Sequence, residues 1–489
     1  MRRVLMSKTT YISHPNPRYK GNPFIEALGY PLTQDKLQKS CEQVFDNQMD
    51  LSSTPEVHHG YYKRSLLMNL FEVRVCPDEA VRIYEAIRHS IEFSYGNRNP
   101  FSPEMNRLLA AIERDKDQPI KAVNIKRLNL FHQSLCFLLY GLSGRGKSTM
   151  VGQVLKPIQQ KIPHTEYRNG DGSLVAFEFT QITYIYVEVY DRKSQKSFLV
   201  SVLEVIDEAL DGDTTEKRAE SYAYVARNYN TSELLTFIRK LVVIHAIGMV
   251  IIDEAQNIAK SPIDFKLGSN EKPSMKFVEE VFNQIGCSLF FIGTMATFDL
   301  FTQQMTTTRR TIRQGSMGLV SCDLNSSFWI RFCKSILKTE VLANQKTEAS
   351  LLRQHLHAKT AGIPAIAVSL VQSALSFLTF YPPEKQNLSV EFIDYIFEKY
   401  FIALQAVVDA LIEGDYHLFE DLKALELLQC VDKKMEEDQS RGPSLLMTGE
   451  VEEKPPQKTN KHEVDINNTS KKIGFDAVMQ TLSSEEGIF

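Results

Sequence analysis

The sequence predicts an α/β fold in which helices flank a parallel sheet, followed by an all-helical unit. Three observations lead to this prediction. Apolar runs typical of buried strands alternate with helical segments between residues 135 and 294, and this alternation is characteristic of parallel sheets with right-handed crossovers. Two of the runs end in motifs suited to binding phosphate and metal ions. From Phe328 to Glu413 the apolar residues recur only at helical spacing.

The first motif has the pattern of a phosphate-binding P-loop. A six-residue apolar run, 135–140, leads into it, and a helical segment, Thr149–Ile162, follows. A chance match in a Gly/Ser loop is the alternative, and this strand and helix argue against it. Glycines let the backbone N–H groups point at phosphate oxygens, and the lysine reaches the β- and γ-phosphates. We expect ATP to be bound by Gly141, Ser143, Gly144, Arg145, Gly146, Lys147, Ser148 and Thr149.

The second motif is a Walker B motif, in which the run 248–252 ends in Asp253 and Glu254. Asp253 and Ser148 are predicted to hold Mg²⁺, and Glu254 to orient and deprotonate the attacking water. The alternative is an ordinary strand end that faces solvent. The P-loop upstream makes that alternative weak.

A further apolar run, 288–293, ends in Thr294, one helix after the Walker B motif. A hydroxyl at this position can hydrogen-bond the attacking water or the γ-phosphate. Thr294 is therefore predicted to act as a sensor residue. The alternative is that it only caps the following turn.

The composition indicates a globular protein with two or three units. The chain has 489 residues, 43% of them hydrophobic, and a net charge of −4. No apolar run approaches the length of a membrane span, and no signal peptide is recognisable at the N-terminus, so we expect no membrane partner and a cytoplasmic location. The seven cysteines lack CxxC spacing and are expected to be reduced core residues.

The predicted domain organisation has five parts. A basic, proline-containing segment is expected to be an extended arm that contacts a nucleic acid or a partner, or is simply solvated. The final segment is poor in apolar residues and is expected to be a disordered tail, either a partner tether or without function. In chain order the parts are the arm (1–60), a leading helical subdomain (61–118), the α/β nucleotide-binding core (119–322), a helical lid (323–430) and the tail (431–489).

A P-loop core followed by a helical lid is the AAA+ arrangement, and several segments resemble the TnsC family of AAA+ regulators of transposition. The resemblance covers roughly residues 120–425. The segments that carry it are His245–Ile247, Gly248–Asn257, Ile292–Thr294 with Ala296, and Thr360–Pro364. One departure is Ala365 after the Gly-x-Pro turn, where many AAA+ lids have a sensor arginine.

The resemblance implies an Mg²⁺-dependent ATPase that assembles on double-stranded DNA as rings or filaments. It also implies that the protein couples a target-selector protein to transposase subunits. Arg310 and Arg313 lie where AAA+ enzymes place an arginine finger, which acts on a neighbouring subunit's nucleotide; a solvated basic loop is the alternative. The sequence does not identify the residues that recognise the adenine; Val123–Phe131 is the segment it favours for them.

In TnsC-like assemblies the loop after the predicted strand 182–190 faces the DNA channel. Arg192, Lys193 and Lys196 are its cations, and we expect them to contact phosphates without reading bases. A solvated helix start is the alternative.

Two other functional classes remain open. One is another AAA+ DNA-associated machine, such as a helicase loader or a replication initiator; no winged-helix or helix-turn-helix module is recognisable after the lid. The other is a scaffold that binds nucleotide without hydrolysing it. Glu254 argues against the scaffold.

Overall fold

The structure is a computed structural model, and it describes residues 9–44, 49–114, 134–170, 172–190, 194–211, 221–259, 273–302 and 312–413. The chain divides into two units, residues 1–433 and 434–489. The second unit, which contains nearly all of the predicted tail, lies outside the described residues.

The described part of the chain contains both strands and helices. The strands are β1 (Cys136–Gly141), β2 (Lys161–Arg168), β3 (Leu174–Ile182), β4 (Tyr184–Glu188), β5 (Met249–Asp253), β6 (Ser288–Gly293) and β7 (Ser316–Leu319). The α-helices that precede the lid are α1 (Pro23–Glu26), α2 (Gln34–Cys41), α3 (Glu56–Leu67), α4 (Ala80–Tyr95), α5 (Pro103–Arg114), α6 (Lys147–Leu155), α7 (Gln195–Asp211), α8 (Tyr222–Val225), α9 (Thr231–Ile244), α10 (Gln256–Ala259), α11 (Pro273–Gln284) and α12 (Met295–Thr302). The lid helices are α13 (Ser327–Ile336), α14 (Ala349–Thr360), α15 (Pro364–Leu378), α16 (Val390–Tyr400) and α17 (Ile402–Ile412).

The central sheet has the strand order β4-β5-β6-β1-β7, and every neighbouring pair is parallel. This confirms the predicted parallel α/β core. The P-loop strand β1 and the Walker B strand β5 are both adjacent to β6. The carboxyl ends of these three strands therefore meet at one edge of the sheet, where both motifs begin.

Helices cover both faces of the sheet, which explains why the inner strands β1, β5 and β6 are buried along their whole length. Phe137 and Leu139 point to the face covered by α1, α2, α4 and α6. Leu138 points to the opposite face, which α7, α9 and α11 cover. All six residues of β1 and of β6 are buried.

The sequence-based boundaries are wrong at the end of the P-loop helix. The segment Thr149–Ile162 was expected to be helical, but α6 ends at Leu155 and β2 begins at Lys161. Strand β2 pairs with β3 in an antiparallel hairpin outside the central sheet. Its exposure alternates along most of its length, as expected for a strand with one face on a core.

The described part of the lid, residues 323–413, is helical, as predicted, and has a core of its own. Trp329, Leu352, Leu370 and Ile393 are fully buried in it. The segment Val390–Glu413 was expected to form one helix, but the chain breaks at Phe401, where φ is −117° and ψ is 28°. The break lets the Phe401 side chain pack against the lid core.

The segment 1–60 is not uniformly extended, because α1 and α2 lie within it. Phe24, Ile25 and Leu37 are almost completely buried against the face of the sheet that carries α4 and α6. The prolines and basic residues of this segment had predicted an extended arm. The apolar residues between them are instead buried by two short helices.

Two further expectations concern the cysteines and membranes. Each of the six described cysteines is buried without a disulfide, which confirms their assignment as reduced core residues; Cys430 lies outside the described residues. In the described part of the chain, none of the helices combines the length and the apolar character that a membrane span requires.

Candidate nucleotide site

The P-loop forms a tight turn between β1 and α6. Gly144 and Gly146 have φ values of +75° and +89°, in the left-handed region that side chains disfavour. Gly141 lies so close to β7 that a Cβ atom on it would be 2.1 Å from the carbonyl oxygen of Leu319. No side chain caps the first turn of α6, so its N–H groups face the loop. This is the geometry that binds phosphate at a helix N-terminus.

The Lys147 ammonium lies within the loop. Its Nζ donates hydrogen bonds to the carbonyl oxygens of Gly141 (2.8 Å) and Leu142 (2.9 Å). The charge is thereby held beside the N–H groups of the loop. A triphosphate placed there meets both the ammonium and the backbone donors.

The Walker B aspartate is buried at the end of β5, where Asp253 is 3% exposed. Its Oδ1 accepts a hydrogen bond from the N–H of Glu254 (2.8 Å), and its Oδ2 accepts one from the hydroxyl of Tyr186 on β4. The Ser148 side chain is a second hydrogen-bonding neighbour of Tyr186. Burial, and then the bond to Asp253, raise the pKa of Tyr186. Tyr186 therefore stays protonated and connects the two residues predicted to hold Mg²⁺.

Glu254 has an unusual backbone conformation for a residue with a side chain. Its φ is +55°, in the left-handed region, which costs about 1–3 kcal/mol for such residues. The side-chain amide of Gln256 donates a hydrogen bond to Glu254 Oε2. The strained backbone and the amide together fix the carboxylate beside the end of β6.

Thr294 directly follows β6, between the ends of the P-loop strand and the Walker B strand. Its backbone N–H donates to Gln256 Oε1 over 3.2 Å. Thr294 thus lies where a sensor residue is expected. Sequence reasoning missed Gln256 and Tyr186 as parts of the site, because neither belongs to the motif that identified their neighbours.

The lid touches the P-loop directly. The N–H of Ala365 in the first turn of α15 donates to the carbonyl oxygen of Gly144 (3.2 Å). A Cβ atom on Gly144 would lie 3.1 Å from the side chains of Ala365 and Ile363. Helix α15 contains neither arginine nor lysine, so it supplies no sensor arginine. At Ala365, where many AAA+ lids have that arginine, this lid contacts the P-loop through its backbone N–H instead.

Arg145 points away from the phosphate side of the loop. It is 6% exposed, donates to the Val320 carbonyl oxygen (3.0 Å), pairs with Glu79 (3.2 Å) and lies 5.1 Å from the ring centre of Phe328. Within the described residues, one of its terminal nitrogens has no hydrogen-bond partner. Arg145 therefore ties the loop to the preceding helices and to the lid.

A cavity of about 300 Å³ opens beside the P-loop between the core, the lid and the segment that precedes α4. Its apolar walls include Leu70, Val73, Phe328 and Val368. Gln153 and Arg145 also line it, and each has a buried polar atom, Gln153 Oε1 and one terminal nitrogen of Arg145, to which the described residues offer no hydrogen bond. An apolar slot with a few unpaired polar atoms suits a nucleobase. The segment assigned to the base from the sequence, Val123–Phe131, lies outside the described residues.

The two predicted arginine-finger residues are only partly described. Arg310 lies outside the described residues. Arg313 is exposed, and the residue after it donates a backbone hydrogen bond to the Cys136 carbonyl oxygen at the start of β1. Arg313 is therefore at the edge of the sheet opposite to the P-loop and cannot serve its own subunit's site.

The predicted DNA contacts fall at the loop between β4 and α7. Arg192 and Lys193 lie outside the described residues. Lys196 is exposed in the first turn of α7, next to Ser197, whose N–H is capped by the Ser194 hydroxyl (3.2 Å). Tyr190, just before the loop, is 62% exposed.

The core of the chain matches one known protein family. Residues 130–301 match the family described as AAA domain. The nucleotide-binding core has the AAA+ P-loop fold. The match spans the AAA+ core from the P-loop strand to α12, and it includes both Walker motifs and the end of β6. No curated protein matches the chain.

Several solved structures are partly similar to the chain. The ORC2 protein of Aeropyrum pernix in ADPNP–ADP complexes is 13% identical, with a TM-score of 0.31 and coverage of 62% of this chain and 76% of that chain. The RuvB Holliday junction branch migration motor of Thermotoga maritima is 10% identical, with a TM-score of 0.29 and coverage of 63% and 75%. The Walker-type ATPase PABY2304 of Pyrococcus abyssi is 11% identical, with a TM-score of 0.29 and coverage of 71% and 78%. These similarities are too low to support a functional conclusion.

Proposed function

We propose that this protein is an Mg²⁺-dependent ATPase that assembles with ATP on double-stranded DNA and couples target-site selection to transposase recruitment. The observation that carries the ATPase part is the convergence of Lys147, Asp253, Glu254 and Thr294 at one edge of the sheet. The DNA and transposition parts are carried by the resemblance of the Walker segments and the lid turn to the TnsC family.

The residues present fit a nucleotide and its metal. Gly144 and Gly146, whose φ angles are positive, shape the loop so that its backbone N–H groups can surround phosphate oxygens. Lys147 supplies a positive charge there. Ser148 is exposed and Asp253 is buried, and both are hydrogen-bonding neighbours of Tyr186; a hydroxyl and a carboxylate suit Mg²⁺. When bound, Mg²⁺ would neutralise charge on the phosphates.

The base fits the cavity between the core and the lid. Leu70, Val73 and Phe328 provide apolar surface for its faces, and Gln153, whose buried Oε1 has no hydrogen-bond partner among the described residues, is the proposed acceptor for an exocyclic amino group. An adenine has such an amino group, whereas a guanine presents an oxygen at the same ring position. This complementarity supports ATP as the nucleotide.

Hydrolysis requires a base that is close to the γ-phosphate and held in place. Glu254 follows the metal-binding Asp253 directly, and both its backbone and its carboxylate are held by neighbours. Its carboxylate would accept a proton from the attacking water, while Thr294 lies at the adjacent strand end. A fixed base distinguishes this site from a scaffold that only binds nucleotide.

The ATPase proposal is tested with two substitutions that separate binding from hydrolysis. Lys147→Ala removes the charge of the phosphate site and should abolish ATP binding. Glu254→Gln keeps the volume but deletes the base, so it should bind ATP and fail to hydrolyse it. Unchanged hydrolysis by Glu254→Gln would show that the base is a different residue.

The DNA part is tested by electron microscopy of the protein with duplex DNA. We expect rings or filaments on the DNA with ATP, stabilised in Glu254→Gln and absent in Lys147→Ala. A reconstituted transposition reaction that needs this ATPase, the transposase and the target selector tests the rest. Normal target selection with Lys147→Ala would refute the coupling role, whereas the ATPase proposal, which is tested separately, would still stand.

A further inference from the structure

Gln256 occupies the centre of a buried hydrogen-bond network behind the Walker B motif. It is 7% exposed, in the first turn after β5. Its Nε2 donates to Glu254 Oε2, and its Oε1 accepts from the Thr294 N–H (3.2 Å) and the Thr297 hydroxyl (3.0 Å). The Gln256 side chain thus contacts both Glu254, the predicted general base, and Thr294 at the end of β6.

The surrounding backbone leaves room for this network and for little else. Thr297 is fully buried in the first turns of α12. A Cβ atom on Gly293 would lie 2.0 Å from the Thr297 hydroxyl and 2.7 Å from Gln256 Oε1. Only a residue without a side chain fits at position 293, so the glutamine amide and the threonine hydroxyl are held against the end of β6.

The same network supports the unusual conformation of Glu254. The N–H of Ala255 donates to the Ile292 carbonyl oxygen (2.9 Å) and thereby attaches the turn after β5 to β6. The Gln256 amide then holds the Glu254 carboxylate at the same strand. A left-handed residue with a side chain is kept in place only where its surroundings enforce that conformation, and such sites concentrate where geometry matters for function.

We propose that Gln256 is a positioning residue for hydrolysis, which holds the Glu254 carboxylate and couples it to the end of β6 through Thr294 and Thr297. This inference rests on the proposed ATPase function. Gln256 donates through one amide atom and accepts through the other, so movement of the β6 end changes the position of the base. The other carboxylate oxygen of Glu254 would then accept the proton of the attacking water.

The chemistry of the side chain explains why a glutamine is suited to the role. Its amide has a donor on one side and an acceptor on the other. A glutamate at 256 would keep the acceptor for Thr294 and Thr297 but would place a second carboxylate against Glu254. A methionine would keep the approximate length and volume while removing both functions.

The experiment compares four purified full-length proteins with the wild type: Gln256→Met, Gln256→Glu, Thr297→Val and the double variant Gln256→Met/Thr297→Val. For each, kcat and KM for ATP hydrolysis are measured, together with the Kd of a non-hydrolysable ATP analogue and the melting temperature. Gln160→Met is the matched control, because the Gln160 amide donates to the Tyr184 carbonyl oxygen (3.3 Å) away from the site.

We expect Gln256→Met and Gln256→Glu to lower kcat about 10- to 100-fold, because a small displacement of a catalytic group has an effect of this size. The Kd of the analogue should change less than about threefold, since neither variant alters the phosphate or base contacts. Thr297→Val should lower kcat about three- to tenfold, as expected for one lost hydrogen bond. The double variant should be no slower than Gln256→Met, because both changes break one network.

Each other outcome contradicts the inference. A kcat for Gln256→Met within twofold of the wild type, with Glu254→Gln inactive, would refute the role of Gln256 while leaving the ATPase function intact. A parallel loss of affinity and rate would indicate a purely structural role. Full activity of Gln256→Glu would show that the donor to Glu254 is dispensable. If Gln256→Met does not fold, Thr297→Val decides alone by the same split between kcat and Kd. A wild-type protein that neither binds nor hydrolyses ATP would refute the proposed function itself.

Discussion

The hydroxyl of Tyr186 on β4 donates a hydrogen bond to the carboxylate of Asp253 on β5. The two strands are neighbours, and the register pairs Tyr186 with Ile251 and Glu188 with Asp253. The tyrosine ring therefore reaches along the sheet from two residues earlier to the end of the next strand. With Ser148 as its other hydrogen-bonding neighbour, Tyr186 orients both predicted metal ligands.

The first prediction is that Tyr186→Phe weakens Mg²⁺ binding in the presence of a non-hydrolysable ATP analogue. Loss of the hydroxyl leaves Asp253 Oδ2 without its donor, and such outer contacts are worth about 10-fold or more in metal affinity. Isothermal titration calorimetry of the analogue-loaded protein with Mg²⁺ measures the half-saturation. Tyr184→Phe, on the same strand, is the control and should titrate like the wild type. An unchanged or lower half-saturation for Tyr186→Phe would contradict the assignment.

The second prediction concerns the base. Gln153→Leu should remove the acceptor for the exocyclic amino group and so abolish the preference for ATP over purine riboside triphosphate, which lacks that group. The preference lost should be about three- to tenfold, the value of one neutral hydrogen bond. Gln159→Leu is the control, because Gln159 is exposed outside the cavity. Retention of the preference by Gln153→Leu, measured by competition binding, would place the base elsewhere.

The third prediction concerns the site between subunits. Because Arg313 lies at the sheet edge opposite to its own P-loop, a finger that includes Arg313 must act on a neighbour. Neither Arg310→Ala/Arg313→Ala nor Lys147→Ala protein should hydrolyse ATP normally alone. Mixed assemblies should regain part of the ATPase rate, since one component supplies an intact phosphate site and the other intact arginines. Absence of rescue at all mixing ratios counts against a finger in trans.

The fourth prediction concerns DNA. Lys193→Ala/Lys196→Ala should weaken binding to all duplex sequences alike and flatten the slope of log affinity against log salt by roughly 0.9 per lost phosphate contact. Binding of ATP to isolated subunits should stay normal. Lys346→Ala removes an exposed lysine in the lid and should leave the slope unchanged. A slope in the double variant equal to that of the wild type would assign the DNA surface to another part of the chain.

The sequence was sufficient where a function depends on neighbours along the chain. The residues of the P-loop follow one another in the sequence, and so do those of the Walker B motif. The continuous apolar run before each motif predicted a buried parallel strand. The P-loop helix was predicted to continue to Ile162, because the strand character of Lys161 and Ile162 depends on their pairing with β3. The break at Phe401 depends on packing within the lid, which the helical periodicity of Val390–Glu413 does not reveal.

The parts of the site that sequence reasoning missed are those assembled across the fold. Tyr186 meets Asp253 through the register of two strands, and Gln256 meets Thr294 because β5 and β6 pair. Gln153 lines the cavity beside the P-loop because the segment before α4 and the lid pack next to α6. Such contacts join residues tens to hundreds of positions apart in the sequence, so no motif spacing predicts them.

The closeness of Gly141 to Leu319 limits how this protein can evolve. Any side chain at 141 would collide with the Leu319 carbonyl and push β7 outward. The carbonyl oxygen of the next residue, Val320, accepts a hydrogen bond from Arg145, and the lid begins three residues later. A single methyl group at 141 would therefore disturb the phosphate loop, the sheet edge and the approach to the lid together. We expect natural variation to be nearly absent at this position, whereas Gly152 on α6, where a Cβ would meet no atom within 4 Å, is free to drift.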